Sequence, residues 1–222
     1  MYSVIYEDDE FLIVNKRSGV LVHKTKFEEE NNLVDEISKD RRESYFLAHR
    51  IDKYTSGIVL LIKNKDNLKS IQQLFSENKV EKCYLAIVSK ELPAKKVKIS
   101  LSLGRSKTNK LMFSNRNAKN YKHAITEVQE IDSKFVFVKP ITGRTHQIRS
   151  HLHDIGCTIL NDPVYLKDKS QVFNSEFGQF LHAYRLSFRC PFSGSFIEAK
   201  APLPEEFVAL LKEMNVDYSS YE

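Results

Sequence analysis

Hydrophobic and polar residues recur along the chain with two different periods, which separate predicted strands from predicted helices. Apolar or alternating segments of strand length predict strands at 3–6, 11–16, 57–64, 82–88, 96–103, 123–131, 134–139, 180–188 and 195–201. Apolar residues at helical spacing predict helices over 33–38, 66–78 and 145–155, and a last helix that begins at Pro204. Because strands outnumber helices and short turns join several of them, we expect an α+β fold with a large mixed, mostly antiparallel sheet flanked by helices.

Length and composition are those of one soluble domain. The 222 residues, 41% of them hydrophobic, suffice for one large core, and no linker divides them, so residues 1–222 are interpreted as a single domain. Cys83, Cys157 and Cys190 are far apart in the sequence and form no CxxC pair, which is typical of a reducing compartment. The acidic amino-terminus lacks the apolar segment of a signal peptide, and no apolar run reaches the roughly 20 residues that span a bilayer. We therefore expect a cytoplasmic protein.

Positive charge is concentrated in one segment, residues 95–122. This segment holds nine basic residues and no acidic residue, while the whole chain has 34 basic and 29 acidic residues. Subtracting the segment leaves 25 basic residues against 29 acidic ones, a net charge of −4. A localised basic surface attracts polyanions. The segment is therefore interpreted as a surface for nucleic acid, and the alternative is a lysine-rich loop that only contacts solvent.

Asp52 is the first candidate for chemistry. It lies among His49, Arg50 and Lys53, just before the turn and the apolar run that begin at residue 55. Neighbouring positive charge keeps a carboxylate ionised, and an ionised carboxylate can act as a nucleophile, as a base or as an electrostatic stabiliser. The structural alternative is a salt bridge at the start of a strand.

Two further segments carry polar groups that suit a site. In residues 140–165, Arg144 and Arg149 are five positions apart on a predicted helix start, so they project in different directions. One of them can reach a buried carboxylate while the other faces a phosphate group. Tyr84 lies within a predicted strand, where packing in the core is the alternative to a role in a site.

The sequence gives no pattern for a metal or a nucleotide cofactor. His146, His151 and His153 have spacings that do not suit one ion, and the chain has neither HExxH nor paired CxxC motifs. Glycine-rich phosphate loops and a GxSxG elbow are also missing from the sequence. We therefore expect no metal and no cofactor.

Taken together, these segments resemble RNA pseudouridine synthases of the RluA type. The resemblance rests on segments that occur in the same order as in that family: VIYEDDEFLIVNKRSGVLVHKT, AHRIDKYTSGIVLLIKN, EKCYLAIV, KHAITEVQEI, PITGRTHQIRSHLHDIGCTILNDPVY, FLHAYRLSF and IEAKAPLPEEF. It covers nearly the whole chain. It implies the pseudouridine synthase fold with a central catalytic cleft, and structured ribosomal or transfer RNA as the substrate.

The resemblance also implies a reaction and a set of roles. Such enzymes break the N1–C1′ bond of a uridine, turn the base and rejoin it through C5, without a cofactor. Asp52 matches the catalytic aspartate, which either attacks C1′ or removes the 2′ proton. Arg149 matches the arginine that pairs with it, and Tyr84 the tyrosine that stacks under the base. Arg50 matches the residue that fills the gap left by the flipped uridine, and Leu181 packs near the base.

The remaining contacts to RNA are assigned from charge. We place Arg144 and His49 on the RNA-binding surface beside the aspartate, and we interpret the basic segment as a phosphate-binding surface. Its candidate residues are Lys107, Lys110 and Arg116. The family often has proline where this chain has Arg17, and often an acidic residue where it has Tyr54. We do not expect the S4 RNA-binding domain that many relatives carry. We expect the protein to be a monomer.

Two other functions are considered. A glycoside or nucleoside hydrolase also acts near C1′, but hydrolysis usually requires two carboxylates in separate roles. Asp162 is the nearest second candidate, and it is interpreted as a turn or cap residue. The second alternative is a catalytically silent RNA-binding protein with the same fold, which would not require Asp52.

Overall fold

A computed structural model describes residues 1–24, 32–168 and 177–221 of the chain. The strands are β1 (Tyr2–Glu7), β2 (Phe11–Lys16), β3 (Phe46–Leu47), β4 (Ser56–Ile62), β5 (Glu81–Ile87), β6 (Lys96–Ser100), β7 (Leu103–Ser106), β8 (Phe113–Ser114), β9 (Ala118–Lys122), β10 (Ile125–Asp132), β11 (Phe135–Pro140), β12 (Leu181–Arg189) and β13 (Phe196–Lys200). The helices are α1 (Leu33–Arg41), α2 (Leu68–Ser76), α3 (Gln147–Asp154) and α4 (Glu205–Glu213).

Ten of these strands form one mixed sheet. Its order is β1-β2-β4-β12-β5-β11-β10-β6, with β13 added beside β12 and β3 beside β4. Two hydrophobic cores share the sheet, one around β2, β4, α1 and α2, the other around β5, β10, β11, α3 and α4. The neighbouring strands are antiparallel except for β4 and β12, which are parallel. The predicted α+β fold with a large, mostly antiparallel sheet is therefore confirmed.

The junction of β4, β12 and β5 positions the residues of the site. His182 and Ala183 of β12 pair with Ser56 and Gly57 of β4 on one side, and Ala183 pairs with Tyr84 of β5 on the other. Residues from three distant parts of the sequence therefore meet where the first residues of β4 and β12 lie beside the middle of β5. Gly57 permits the close approach, because a Cβ atom there would lie 2.3 Å from the carbonyl oxygen of Ala183.

Most predicted elements appear at or near their predicted bounds. The apolar run of β4 is buried at every position, as expected for a strand that is covered on both faces. The prediction of one strand over residues 96–103 is wrong. The strand is interrupted at residues 101–102: β6 pairs with β10 in the main sheet, while β7 joins β8 and β9 in a separate three-stranded sheet.

The small sheet of β7, β8 and β9 carries the later part of the basic segment, whereas its first lysines lie on and next to the edge strand β6. The predicted basic surface is thus divided between two sheets. Within the three described ranges, no helix has the length and apolar character required to cross a lipid bilayer.

Candidate active site

Asp52 lies in the turn that precedes β4. Its backbone carbonyl accepts a hydrogen bond from the Thr55 amide at 3.1 Å, and the buried Thr55 hydroxyl accepts one from Nε2 of Gln179 at 3.0 Å. In the same turn, the Lys16 ammonium donates to the carbonyl of Lys53 at 2.9 Å. The turn that begins at Asp52 is therefore held by groups from other parts of the chain.

The Arg149 guanidinium joins Asp52 to a second carboxylate, Asp162. Nη1 of Arg149 donates to Oδ2 of Asp52 at 2.8 Å. Nε and Nη2 donate to the two oxygens of Asp162 at 2.7 and 2.9 Å, which is a bidentate pair. The ring of Tyr165 lies under the guanidinium, 5.3 Å from Cζ to the ring centroid. Because Asp162 and Tyr165 fix the plane of the guanidinium, Nη1 is held toward Asp52.

The electrostatic surroundings keep Asp52 ionised. Burial alone would raise the pKa of Asp52, but His146 and Arg149 outweigh it, so the pKa lies below its ordinary value of 3.8. Nε2 of His146 lies 3.8 Å from Oδ2 of Asp52. Burial lowers the pKa of His146 itself. At neutral pH the His146 ring is therefore neutral, and Arg149 is the positive partner of Asp52.

The chain is folded tightly where α3 begins. His146 has a left-handed backbone (φ 53°), which is uncommon for a residue other than glycine or asparagine. Gln147 stabilises this turn: its Oε1 accepts from the Thr142 hydroxyl at 2.7 Å and the Arg144 amide at 2.9 Å, and its Nε2 donates to the Ile125 carbonyl at 2.9 Å. The turn directs His146 toward Asp52, and it places Arg149 one helical turn later.

An open cavity of about 460 Å³ lies in front of Asp52. This volume is within the range of roughly 300–1,000 Å³ that is usual for small-molecule sites. Aromatic and aliphatic side chains form part of the wall, among them Phe75, Tyr84 and Leu181. Burial raises the pKa of the Tyr84 hydroxyl, and the nearby Asp52 raises it further. The neutral hydroxyl can therefore donate or relay a proton, but it does not ionise near pH 7.

Comparison with known proteins identifies the family. The family model for RNA pseudouridylate synthase matches residues 10–154. An uncharacterised RNA pseudouridine synthase of Mycoplasma genitalium is 33% identical over 219 residues, which cover 96% of this chain and 70% of the relative. The chain belongs to the RNA pseudouridylate synthase family. It is accordingly an RNA pseudouridine synthase, an isomerase whose substrate is RNA.

Two further comparisons agree with this assignment. Ribosomal large subunit pseudouridine synthase C of Vibrio cholerae is 32% identical over 222 residues, covering 96% of this chain and 69% of the relative. The structure of human RNA pseudouridylate synthase domain containing 1 superposes with a TM-score of 0.78 at 27% identity, over 92% of this chain and 84% of that chain. The fold is thus that of pseudouridylate synthase domains.

The RNA pseudouridine synthase cavity brings together seven of the ten site residues that were named from the sequence. Asp52, Tyr84, Arg149, His49, Arg50, Arg144 and Leu181 all line it. His49 does so as a neutral ring that stacks on Phe75 and accepts a hydrogen bond from the Leu60 amide at 3.1 Å, since burial lowers its pKa to about 3. Arg144 lies at the surface, where Nε donates to the His123 carbonyl at 3.1 Å.

The other three named residues lie away from the cavity. Lys107, Lys110 and Arg116 are exposed side chains of the small sheet and its loops. That sheet is attached to the site through Phe113 of β8: the Tyr165 hydroxyl accepts from its amide at 2.8 Å and donates to its carbonyl at 3.0 Å. The basic surface is thus beside the cavity of the synthase rather than part of its wall.

The three histidines of the α3 region contact separate partners. His151 contacts the Thr126 hydroxyl at 2.9 Å and His153 the Thr158 hydroxyl at 3.0 Å, while His146 faces Asp52. Sequence reasoning did not assign His146 to the site. The signal was available, because His146 is part of the same TGRTHQIR segment as Arg149.

Sequence reasoning also missed the main contact of Asp162. This carboxylate does accept hydrogen bonds from the Val164 and Tyr165 amides at 2.9 and 3.0 Å, as expected for a turn residue. Its principal partner is nevertheless Arg149. The spacing of 13 residues between a helix and the loop after it carries no local signal for such a pair.

Proposed function

We propose that Asp52 is the group that acts on the ribose of a flipped uridine, and that the substrate is ribosomal RNA. One observation carries the proposal: an ionised carboxylate, hydrogen-bonded at 2.8 Å to a buried arginine, faces an open cavity of about 460 Å³. Base flipping costs a few kcal/mol, and a cavity of this kind accepts the extruded nucleotide. Asp52 then attacks C1′ or removes the 2′ proton.

The other side chains at the site have separate proposed roles. Arg149 keeps Asp52 ionised and oriented, because its guanidinium is fixed from the opposite side by Asp162. Tyr84 and Leu181 contact the base from the wall of the cavity. Arg50 lines the cavity and is exposed, with Nη1 3.4 Å from Nε2 of His23, so it is available to enter the gap left in the RNA. Arg144 contacts the phosphate backbone of the RNA beside the target nucleotide.

The site does not favour hydrolysis. A glycosidase of the usual kind requires a second carboxylate that reaches the substrate. Asp162 is 1% exposed, and its oxygens accept from Arg149 and from two backbone amides. Among the described residues that line the cavity, Asp52 is the only carboxylate. The chemistry of one carboxylate suits isomerisation, in which no water is added.

Ribosomal RNA is proposed because a relative at 32% identity over 96% of this chain is named for the large ribosomal subunit. The exposed cations of the small sheet provide a phosphate-binding surface next to the cavity. We propose that the protein acts as a monomer in the cytoplasm, where the buried thiols of Cys83, Cys157 and Cys190 stay reduced.

Replacement of Asp52 by asparagine tests the catalytic role. The variant keeps the shape of the side chain and removes its charge, so we expect release of the C5 hydrogen from [5-³H]uridine-labelled RNA to be lost while RNA affinity changes less than about threefold. The exposed Asp66→Asn is the matched control and should stay active. An active Asp52→Asn protein would rule out this role, and release of free uracil would indicate hydrolysis instead.

The substrate is tested by mapping pseudouridine in cells. RNA from cells with and without the gene is compared by chemical mapping across ribosomal and transfer RNA. We expect one or more pseudouridines of large-subunit ribosomal RNA to disappear with the gene and to return with the wild-type protein, but not with Asp52→Asn. Loss that is confined to transfer RNA would overturn the assignment of substrate and leave the assignment of Asp52 intact.

A further inference from the structure

Lys16 and Lys82, two of the described lysines near Asp52, differ in their hydrogen bonding. The buried Lys16 ammonium donates to three carbonyl oxygens, those of Arg17, Val20 and Lys53, at 2.8 to 2.9 Å. An ammonium group has three N–H donors, so Lys16 is fully satisfied by the protein. Its role is to hold the turn that contains Asp52.

Lys82 of β5 is not satisfied in this way. Its ammonium lines the cavity and has one long hydrogen bond, 3.4 Å to the Thr142 carbonyl. Across the described parts of the chain it forms no ion pair. Gly143 lies beside the group, where an added Cβ atom would be 3.6 Å from Nζ, in ordinary van der Waals contact. Two donors of a half-buried cation therefore remain for a ligand in the cavity.

The charge around Lys82 is positive. Among the described residues, the charged group that acts on Lys82 is Arg144, from the loop before α3. His49 is neutral because burial lowers its pKa to about 3, and the Tyr84 hydroxyl is neutral because burial raises its pKa. Burial, and then Arg144, lower the pKa of Lys82 to about 8. The one carboxylate among the described cavity residues, Asp52, is already paired with Arg149. An anionic ligand is the partner that this arrangement lacks.

We propose that Lys82 binds a phosphodiester group of the RNA chain next to the flipped uridine. The proposal rests on the proposed function, since it takes the nucleotide to enter this cavity. Lys82 and Tyr84 are two residues apart, so they project from the same face of β5, roughly 7 Å from one another. Proteins commonly bind unpaired nucleotides with an aromatic side chain that stacks on the base and a nearby cation that contacts the phosphate backbone. Lys82 is thus proposed as a binding residue for the RNA backbone beside the reacting nucleotide.

The test uses steady-state kinetics on total RNA labelled with [5-³H]uridine, taken from cells that lack the gene. We expect Lys82→Met to raise KM about tenfold with kcat within about twofold, and to reduce the salt slope of log kcat/KM by about 1. Lys82→Arg retains the positive charge and should restore KM. Lys200→Met removes an equal charge from β13, outside the cavity, and should behave as wild type.

A pH profile gives a second readout. In the wild type, kcat/KM should fall above about pH 8 as the Lys82 ammonium loses its proton. This fall should be absent in Lys82→Arg, because arginine stays protonated. Ionisation of the uracil base in the substrate would change kcat/KM of both proteins equally. It therefore does not account for a difference between the two pH profiles.

Several results would overturn the proposal. These are an unchanged KM and salt slope in a folded Lys82→Met protein, a fall in kcat at constant KM, or Lys82→Arg as impaired as Lys82→Met. Failure of the proposed function has a different signature, namely a wild-type protein that releases no tritium or an Asp52→Asn protein that does.

Discussion

Asp162 and Asp52 bind the same guanidinium from opposite sides, and only one of them is accessible from the cavity. Asp162 is 1% exposed, whereas the Asp52 side chain is 24% exposed. A buried pair is costly to break, because the remaining charge loses its partner. Asp162 therefore holds Arg149 in place whatever the ionisation state of Asp52.

Removal of the Arg149 charge should shift the pH dependence of the reaction. In the proposed mechanism Asp52 acts in its ionised form, so activity should be lost as the pH falls through its pKa, which in the wild type lies below 3.8. In Arg149→Met the effect of burial is less opposed, so the pKa rises and the acid limb of kcat/KM moves to higher pH. Tritium release is measured between pH 4 and 8, with circular dichroism to verify the fold at each pH.

Two further variants make this prediction specific. Arg149→Lys keeps a positive charge near Asp52, so its acid limb should stay close to that of the wild type. Arg189→Met removes an exposed arginine at the end of β12 and should not move the limb. If Arg149→Met is folded and shows the acid limb of the wild type, Arg149 does not control the ionisation of Asp52.

At the scale of elements, the sequence predicted what depends on local pattern. The fully apolar β4, the hairpin of β10 and β11, and α4 follow from periodicity, because burial of one or both faces determines which positions are apolar. The break at residues 101–102 has no such signal, since alternation continues through it. The short β3 and β8 and the parallel pairing of β4 with β12 depend on contacts between distant residues.

Gly57→Ala should destabilise the protein far more than an ordinary substitution of glycine. Gly57 has φ 104°, and an added Cβ would lie 2.3 Å from the Ala183 carbonyl oxygen, so β4 and β12 must separate. We expect the free energy of unfolding in urea to fall by on the order of 3–5 kcal/mol. Activity should fall too, because Asp52 lies in the turn before β4 and Leu181 is the first residue of β12.

Gly194→Ala is the matched control for this change. Gly194 also has a positive φ, 70°, but nothing lies within 4 Å of an added Cβ. In Gly194→Ala the free energy of unfolding should fall by about 1 kcal/mol, because only the backbone conformation is disfavoured. Equal losses of stability in the two variants would show that the close approach of β12 is not what requires glycine at position 57.

At the scale of the whole molecule, the cavity and the basic surface are parts of one assembly. The Tyr165 hydroxyl binds the backbone of Phe113 in β8, while its ring contacts Arg149 on α3. RNA that contacts the small sheet is therefore held near the groups that face Asp52. The distribution of charge along the sequence predicted a basic surface. It did not predict that the first lysines of the segment belong to β6 on another sheet, because sheet membership depends on strand pairing.

The salt dependence of RNA binding tests whether the small sheet contacts phosphate. Each phosphate contact contributes roughly 0.7–0.9 to the slope of log affinity against log salt concentration. Replacing Lys107, Lys110 and Arg116 with glutamine should therefore lower the slope by about two and weaken binding at low salt, with kcat at saturating RNA nearly unchanged. The control variant replaces three other exposed residues with glutamine, namely Lys39, Lys200 and Lys212. These replacements remove the same net charge from other surfaces. Equal losses of slope in the two triple variants would mean that net charge, rather than this surface, attracts the RNA. An unchanged slope in the first would mean that these side chains only contact solvent.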